Sequence, residues 1–483
     1  MNITNDTNVK ESCMLKLITP FRVLFNLDSS KIAARPAVFM EFLHKVQDAL
    51  ENPASTLART LNPALQVMVN LPPKAEENDN ARDHGRFLLS PHLFTLRFLK
   101  THQAEIAAIY HRAAAQADSR TAAYSAMLRP DMDSLKIRLN DNTIAILFLD
   151  LHLEREQMVT GEEGWKQLNQ WVEILIKSML RELYPLMIFP LLKGLNAFSN
   201  ATKDYFVYDV SEYKIFFVLV GDPANPYPDL HTRFIAMQTN ITLCYPGDYA
   251  QNQWITGITA HGTCVRLKGM EVYVNDENNL VVLPHAANQE VLEIFWEIIS
   301  SASYYYIAMN VININLIRYI GITSDKHTTK GLRIISRDME QIINSVTILK
   351  VRYTDLAGEL TGVARKLFVA LQKEWDFRNI TENMQSKLEL CRTNIKTLSV
   401  ETQRRNQGRI ETVLTGVAGM SILSVFIELG SYATQMPPEN RAMVGNYPGF
   451  MSLGFEYSGN TLGWIGIAMA VAVLLFTIRH RSG

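Results

Sequence analysis

From Tyr457 to Ile478 the chain carries no ionisable side chain except the tyrosine, and the run closes on Arg479-His480-Arg481. A helix needs roughly 20 apolar residues to cross the hydrocarbon core of a bilayer, and this run is long enough. Trp464 near one end and the basic cluster at the other fit interface anchors. A second uncharged stretch, Thr412 to Ala433, is interrupted only by Glu428. Arg404, Arg405 and Arg409 precede it, and Arg479 and Arg481 follow the last run. Arginine gathers on the cytoplasmic flanks of membrane spans. The pattern predicts a two-helix transmembrane hairpin, with spans at about 412–433 and 461–478. Both chain ends would be cytoplasmic, and loop 434–460 would lie outside.

The first of these stretches is not uniformly apolar. Ser421, Ser424, Glu428 and Ser431 recur at steps of three and four and so share one helix face. An intramembrane carboxylate is a functional feature by default, so this face reads as pore lining with Glu428 attracting cations. The same spacing fits a Glu428 solvated at the headgroup level. Ile298 to Ile317 is also uncharged, but its serines, its three adjacent tyrosines and Asn310, Asn313 and Asn315 disfavour insertion. It is expected as a helix buried inside the protein or at a subunit contact.

The rest of the composition narrows the class. With 47 Lys+Arg against 48 Asp+Glu, no basic surface points to nucleic acid as a partner. Four cysteines, Cys13, Cys244, Cys264 and Cys391, form no CxxC pair and read as buried or free thiols in a reducing compartment. The opening segment MNITNDTNVKESCMLKL lacks the basic and apolar regions of a signal peptide. The expected order is an α+β cytoplasmic head over 1–325, a long helical hairpin and stalk over 326–410, and the membrane hairpin over 411–483.

Apolar residues from Leu332 through Ile335, Met339, Ile342, Val346 and Leu349 to Leu367 step by three and four, a heptad seam. No proline lies between Pro284 and Pro437 to break it. The pattern resets around EWDFRNITEN, and a second seam runs from Met384 through Leu388, Cys391 and Ile395 to Leu398. Two long helices joined this way are expected to pack antiparallel as a coiled coil, the second continuing into the membrane stretch. Such a stalk serves equally as a spacer or as a lever.

In the head, AVFMEFLHKVQDAL, PHLFTLRFLKTHQAEIAAIYHRAAAQA and GEEGWKQLNQWVEILIKSMLRELYPLM read as helices. TIAILFLDLHLE, YKIFFVLVG, NITLCYP, CVRLKGMEVYV and NLVVLP read as strands of a mixed or antiparallel sheet. No phosphate-binding, dinucleotide, HExxH or GxSxG motif is present, so no enzyme is expected. Asp150, His152 and Glu154 alternate along one strand and face one side, a ligand set of the right chemistry for a divalent cation. A strand end emerging into solvent has the same pattern.

A large mixed head, long helices, a stalk running into the first of two C-terminal spans and a short basic tail resemble the CorA-like family of divalent-cation channels. The likeness in organisation covers about Gly331 to Gly483. It implies a homo-oligomer, a pentamer in that family, in a bacterial inner membrane, with magnesium or another divalent cation as permeant or regulatory ion. The family's Gly-Met-Asn signature is absent: Gly419-Met420 is followed by Ser421, and NYPGFMSLGFE in the loop has no asparagine after its methionine. No signature residue is carried over. Divergent relatives act in bacterial anti-phage defence, where a small nucleotide binds the head, and this implies a second function, a signal-gated membrane effector. A membrane-tethered scaffold is the third.

Overall fold

The computed structural model describes residues 13–23, 25–27, 36–61, 63–71, 92–140, 144–153, 161–201, 217–219, 240–246, 259–267, 270–275, 278–283, 289–323 and 329–435, with Trp464, Ile467, Ala468 and Val471 beyond. Two units divide the chain: Met1–Tyr319 with Glu340–Glu389, and Ile320–Met339 with Leu390–Gly483.

The first unit is organised on β1 (Cys13–Arg22) and β6 (Ile144–Leu153), which pair antiparallel over their full lengths. To one side of them lie β5 (Leu128–Asn140), β4 (His92–Phe98) and β3 (Leu65–Val69). To the other lie β8 (Asn240–Pro246), β11 (Asn278–Leu283), β10 (Met270–Val274) and β9 (Thr263–Leu267). The nine-stranded order is β3-β4-β5-β6-β1-β8-β11-β10-β9. Every pairing in it is antiparallel except β8 with β11. Short β2 (Phe25–Leu27) and β7 (Phe217–Leu219) pair separately.

Side chains alternate between sheet faces, and residues paired in register share a face. One face carries Leu15, Leu17, Leu147, Leu149, Leu151, Ile137, Leu96, Leu243 and Leu280, all buried. This is the apolar core. Helix α3 (Gln103–Asp118) packs on β5 and on α4 (Gly161–Leu183). Helix α1 (Pro36–Glu51) packs on β3 and on α2 (Thr56–Thr60). A π-helical turn at Tyr184–Ile188, holding Pro185, joins α4 to α5 (Phe189–Ala201). A Cβ on Gly194 of α5 would stand 2.7 Å from Leu57 Cδ1, so a glycine lets α5 cross α2 closely.

The opposite face is polar at its centre and meets α6 (Gln289–Thr323). Ile298–Ile317 lies within this helix, and Ile299, Ala302, Tyr304, Tyr305 and Met309 are buried. Tyr306 packs edge-on against Trp375 and Phe377, and Tyr305 against Tyr353. The tyrosine triplet is thus the hub of an aromatic cluster between α6, α7 (Thr329–Glu359), α8 (Gly362–Glu374) and the first turn of α9 (Phe377–Gln435).

The heptad seam does not run unbroken to Leu367. Helix α7 stops at Glu359 and α8 begins at Gly362, whose φ of +56° lies in the left-handed region that ends helices. Asp376, also at positive φ, makes the second break, and α9 then continues without interruption to Gln435. HLFTLRF, expected as helix, is strand β4; after it Lys100–His102 forms a 3-10 turn and the α-helix begins at Gln103.

The predicted two-helix transmembrane hairpin is corrected. Among the described residues no helix is long and apolar enough to cross a membrane. The stretch 412–433 is part of α9, which over its 59 residues is interrupted by Arg404, Arg405, Arg409, Glu411, Glu428 and many serines and threonines. The expected span at 461–478 lies outside the described residues apart from Trp464, Ile467, Ala468 and Val471. With the hairpin goes the multi-pass placement in a bacterial inner membrane.

Asp118 ends α3 and organises the turn that follows. Its carboxylate accepts from Trp171 Nε1 at 2.7 Å, from the Tyr124 amide at 2.9 Å and from the Ser125 hydroxyl. Trp171 is fully buried in α4, so losing its acceptor leaves an N–H unsatisfied. Asp118→Ala is expected to lower stability by about 2 kcal/mol or more, read as the shift in urea midpoint. An unchanged midpoint would show that the network adds nothing.

Candidate functional site

The site is a layer of charge between the polar face of the sheet and α6. Lys16 of β1 and Asp150 of β6 are register partners. Lys16 Nζ donates to both Asp150 oxygens, at 2.6 and 2.7 Å, and stands 4.9 Å from the Trp296 ring centre. One strand over, Lys136 of β5 pairs with Phe148 of β6, and Arg97 of β4 pairs with Lys136. Lys136 Nζ and Arg138 Cζ each lie 4.9 Å from the Phe148 ring centre. Arg138 Nη1 donates to Glu297 Oε2 at 2.8 Å, and its Nη2 to Oε1, a two-pronged pair that ties β5 to α6.

Two irregularities frame this layer. The β5–β6 register shifts between Asp131 and Lys136, and Ser134 in that bulge accepts from the Asp150 amide at 2.8 Å. The β4–β5 register shifts between His92 and Phe94. Bulges re-aim side chains beside functional sites, and here they bring His92 to Asn140 and set Lys136 just past the disturbed stretch.

Cations outnumber carboxylates in the layer, and titration behaviour follows. Lys136 is pushed down to about 8 by burial first, then by the charges of Arg138, Arg97 and Lys16, with Glu297 opposing. His92 falls to about 4, chiefly through burial and then through Arg138 and Lys136, Glu297 again opposing. Burial alone would raise Glu297. Its hydrogen bond with Arg138, and the charges of Arg138, His92 and Lys136, hold it below the usual carboxylate range instead.

The residues singled out from sequence are placed differently. Asp150 and His152 do share the polar face, but Asp150 is bound by Lys16 and His152 is exposed. Glu154 lies outside the described residues. Among the described residues no group of three or more His, Cys, Asp or Glu side chains is placed to hold a metal ion. Ser421, Ser424, Glu428 and Ser431 stand together on one exposed side of α9. There the Ser421 hydroxyl donates to the Val417 carbonyl at 2.9 Å and the Ser431 hydroxyl to the Glu428 carbonyl at 2.9 Å. Lys16, Lys136, Arg138, Arg97, His92 and Glu297 were not found from sequence. The one signal available was the row Lys136, Arg138, Asn140, alternating polar positions in a segment whose Pro130, Asp131 and Asp133 argued against a strand.

No protein-family model matches the chain, and neither does a curated protein or a solved structure.

His92 links the layer to pH. The folded state takes up its proton only near pH 4, the unfolded state near the ordinary 6.5. Between these values the unfolded chain binds more protons, so stability is lost as pH falls from about 6.5 towards 4. Urea midpoints measured from pH 7.5 down to 4.5 are expected to fall less in His92→Gln than in the parent. Parallel losses would remove His92 from the account.

Proposed function

We propose that the protein is a non-enzymatic assembly protein, a scaffold whose copies join through α9. The observation that supports this is the exposed apolar run on that helix. Ile410, Val413, Leu414, Val417, Met420 and Val425 are each between 50% and 68% exposed. At 100° per residue they fall within a band on one side of the helix, the width of an apolar face that packs on a neighbour. Covering a side chain of this kind is worth roughly 1.5–3 kcal/mol. Contiguous exposed apolar patches mark interaction sites.

A second copy is the occupant, because the band continues into Ser421, Ser424, Glu428 and Ser431 on the same side. Short hydroxyls beside apolar residues suit helix pairs that hydrogen-bond across their seam. The head then serves as the part each copy presents.

Sedimentation of the full chain is expected to show a mass above that of one chain. The double substitution Leu414→Glu and Val417→Glu puts two charges in the seam and is expected to return it to a single chain, with helix content by circular dichroism unchanged. A parent that sediments as one chain would overturn the reading.

A further inference from the structure

Two buried donors on β5 have no acceptor. Arg138 is about 11% exposed at its side chain, and its Nη atoms are held by Glu297, yet its buried Nε has no hydrogen-bond partner. Asn140, two residues on and 1% exposed, has no partner for Nδ2. A buried donor left unmade costs about 1–3 kcal/mol, and native structures rarely tolerate two on one strand face without a reason. Both unmatched atoms are N–H groups. Beside them stands Lys136, over the Phe148 ring, with the charges of Arg138, Arg97 and Lys16 acting on it against that of Glu297, a carboxylate already bound by Arg138. What this arrangement lacks is acceptors and negative charge.

We propose that the polar sheet face beside α6 binds a tetrahedral oxyanion, sulfate or phosphate, with Arg138 Nε, Asn140 Nδ2 and Lys136 Nζ as its donors and exposed Arg97 at the entrance. Residues two apart on one strand face are about 6.6 Å apart. Lys136 and Asn140 flank Arg138 and are themselves about 13 Å apart at the backbone, so the long lysine side chain reaches past Arg138 to bring its amine to an anion held by the other two donors at about 2.9 Å. The anion can be free or the end group of a larger molecule. Glu297 and Asp150, each already held by a cation, do not stand in the way. The inference is independent of self-association through α9.

Binding would draw the Lys136 amine back towards its charged form. The groups that act on it are Arg97 from β4, Arg138 from β5, Phe148 from β6, Lys16 from β1 and Glu297 from α6, while Lys136 in turn acts on His92 at the edge. Since the free amine sits at about 8, affinity for an anion of fixed charge declines as pH rises from 7 to 9.

The test is calorimetric titration of the full chain with sulfate, whose charge is constant over this range, at constant ionic strength set with chloride. Saturable binding, tighter at pH 7 than at pH 9, is expected, with a rise in melting temperature on adding sulfate. Lys136→Gln and Asn140→Asp are each expected to weaken it at least tenfold. The second variant is nearly the same size as the parent and places a negative charge where the donor was. Arg97→Gln, on the exposed rim, is expected to weaken it by about threefold and keeps the test open if a buried substitution fails to fold. Inorganic phosphate and phenyl phosphate separate the two sources: equal affinity marks a free ion, tighter binding of the ester marks an end group. No saturable binding in the parent, or binding unaltered in folded Lys136→Gln and Arg97→Gln, would overturn the proposal.

Discussion

Lys16 and Asp150 face each other across the central ladder of the sheet, at 2.6 Å and both about nine-tenths buried. A buried ion pair returns little net stability but is costly to break, because the surviving partner is left charged and dry. The pair therefore acts as a constraint. It fixes the register of β1 on β6, since a slip of one residue would send Lys16 to the face occupied by Leu15 and Leu17. It also makes one side of the sheet unsuitable for a plain apolar helix. The helix that covers it, α6, brings Trp296 to the lysine and Glu297 to Arg138. The other side, lined by leucine, takes α3 and its partner α4.

The sequence revealed those parts of this arrangement that depend on neighbours along the chain. The apolar alternation of TIAILFLDLHLE identified β6 and put Asp150 and His152 on one face. The periodicity of GEEGWKQLNQWVEILIK identified α4, and the reset at EWDFRNITEN located the start of α9 within a few residues. What it hid depends on partners far along the chain. Lys16 and Asp150 are 134 residues apart, and Arg138 and Glu297 are 159 apart. No local pattern joins them. Strand β5 escaped because its bulge and its Pro130 break the alternation that marks strands. The break at Gly362 is not marked by a proline; a glycine in the left-handed region interrupts a helix as effectively.

The C-terminal stretches show a different limit. An uncharged helical run reads alike whether lipid or another protein covers it, since both remove apolar surface from water. The stretch 412–433 forms the end of α9, a helix that also carries the arginines at 404, 405 and 409 and Glu411. In that longer element Ser421, Ser424, Glu428 and Ser431 continue an exposed apolar band on one helix, and a neighbouring helix can meet both parts.

Within the first unit, α6 touches both the charged layer and the beginning of α9. Trp296 and Glu297 contact Lys16 and Arg138 near its N-terminal end. Further along, Tyr306 meets Trp375 and Phe377, Met309 accepts a weak hydrogen bond from Thr381, and Asn313 reaches the Ile380 carbonyl at 3.4 Å and Lys387 at 3.2 Å. The rings at this end sit 5.0–6.2 Å apart, as in a packed interior. A close-packed core does not deform continuously; it shifts as a body or not at all. Glu297 is held by the same guanidinium whose Nε lacks an acceptor, so whatever reorients Arg138 pulls on α6. The helix has no proline at which to bend. One unbroken helix thus contacts both the charged layer and the residues that begin α9.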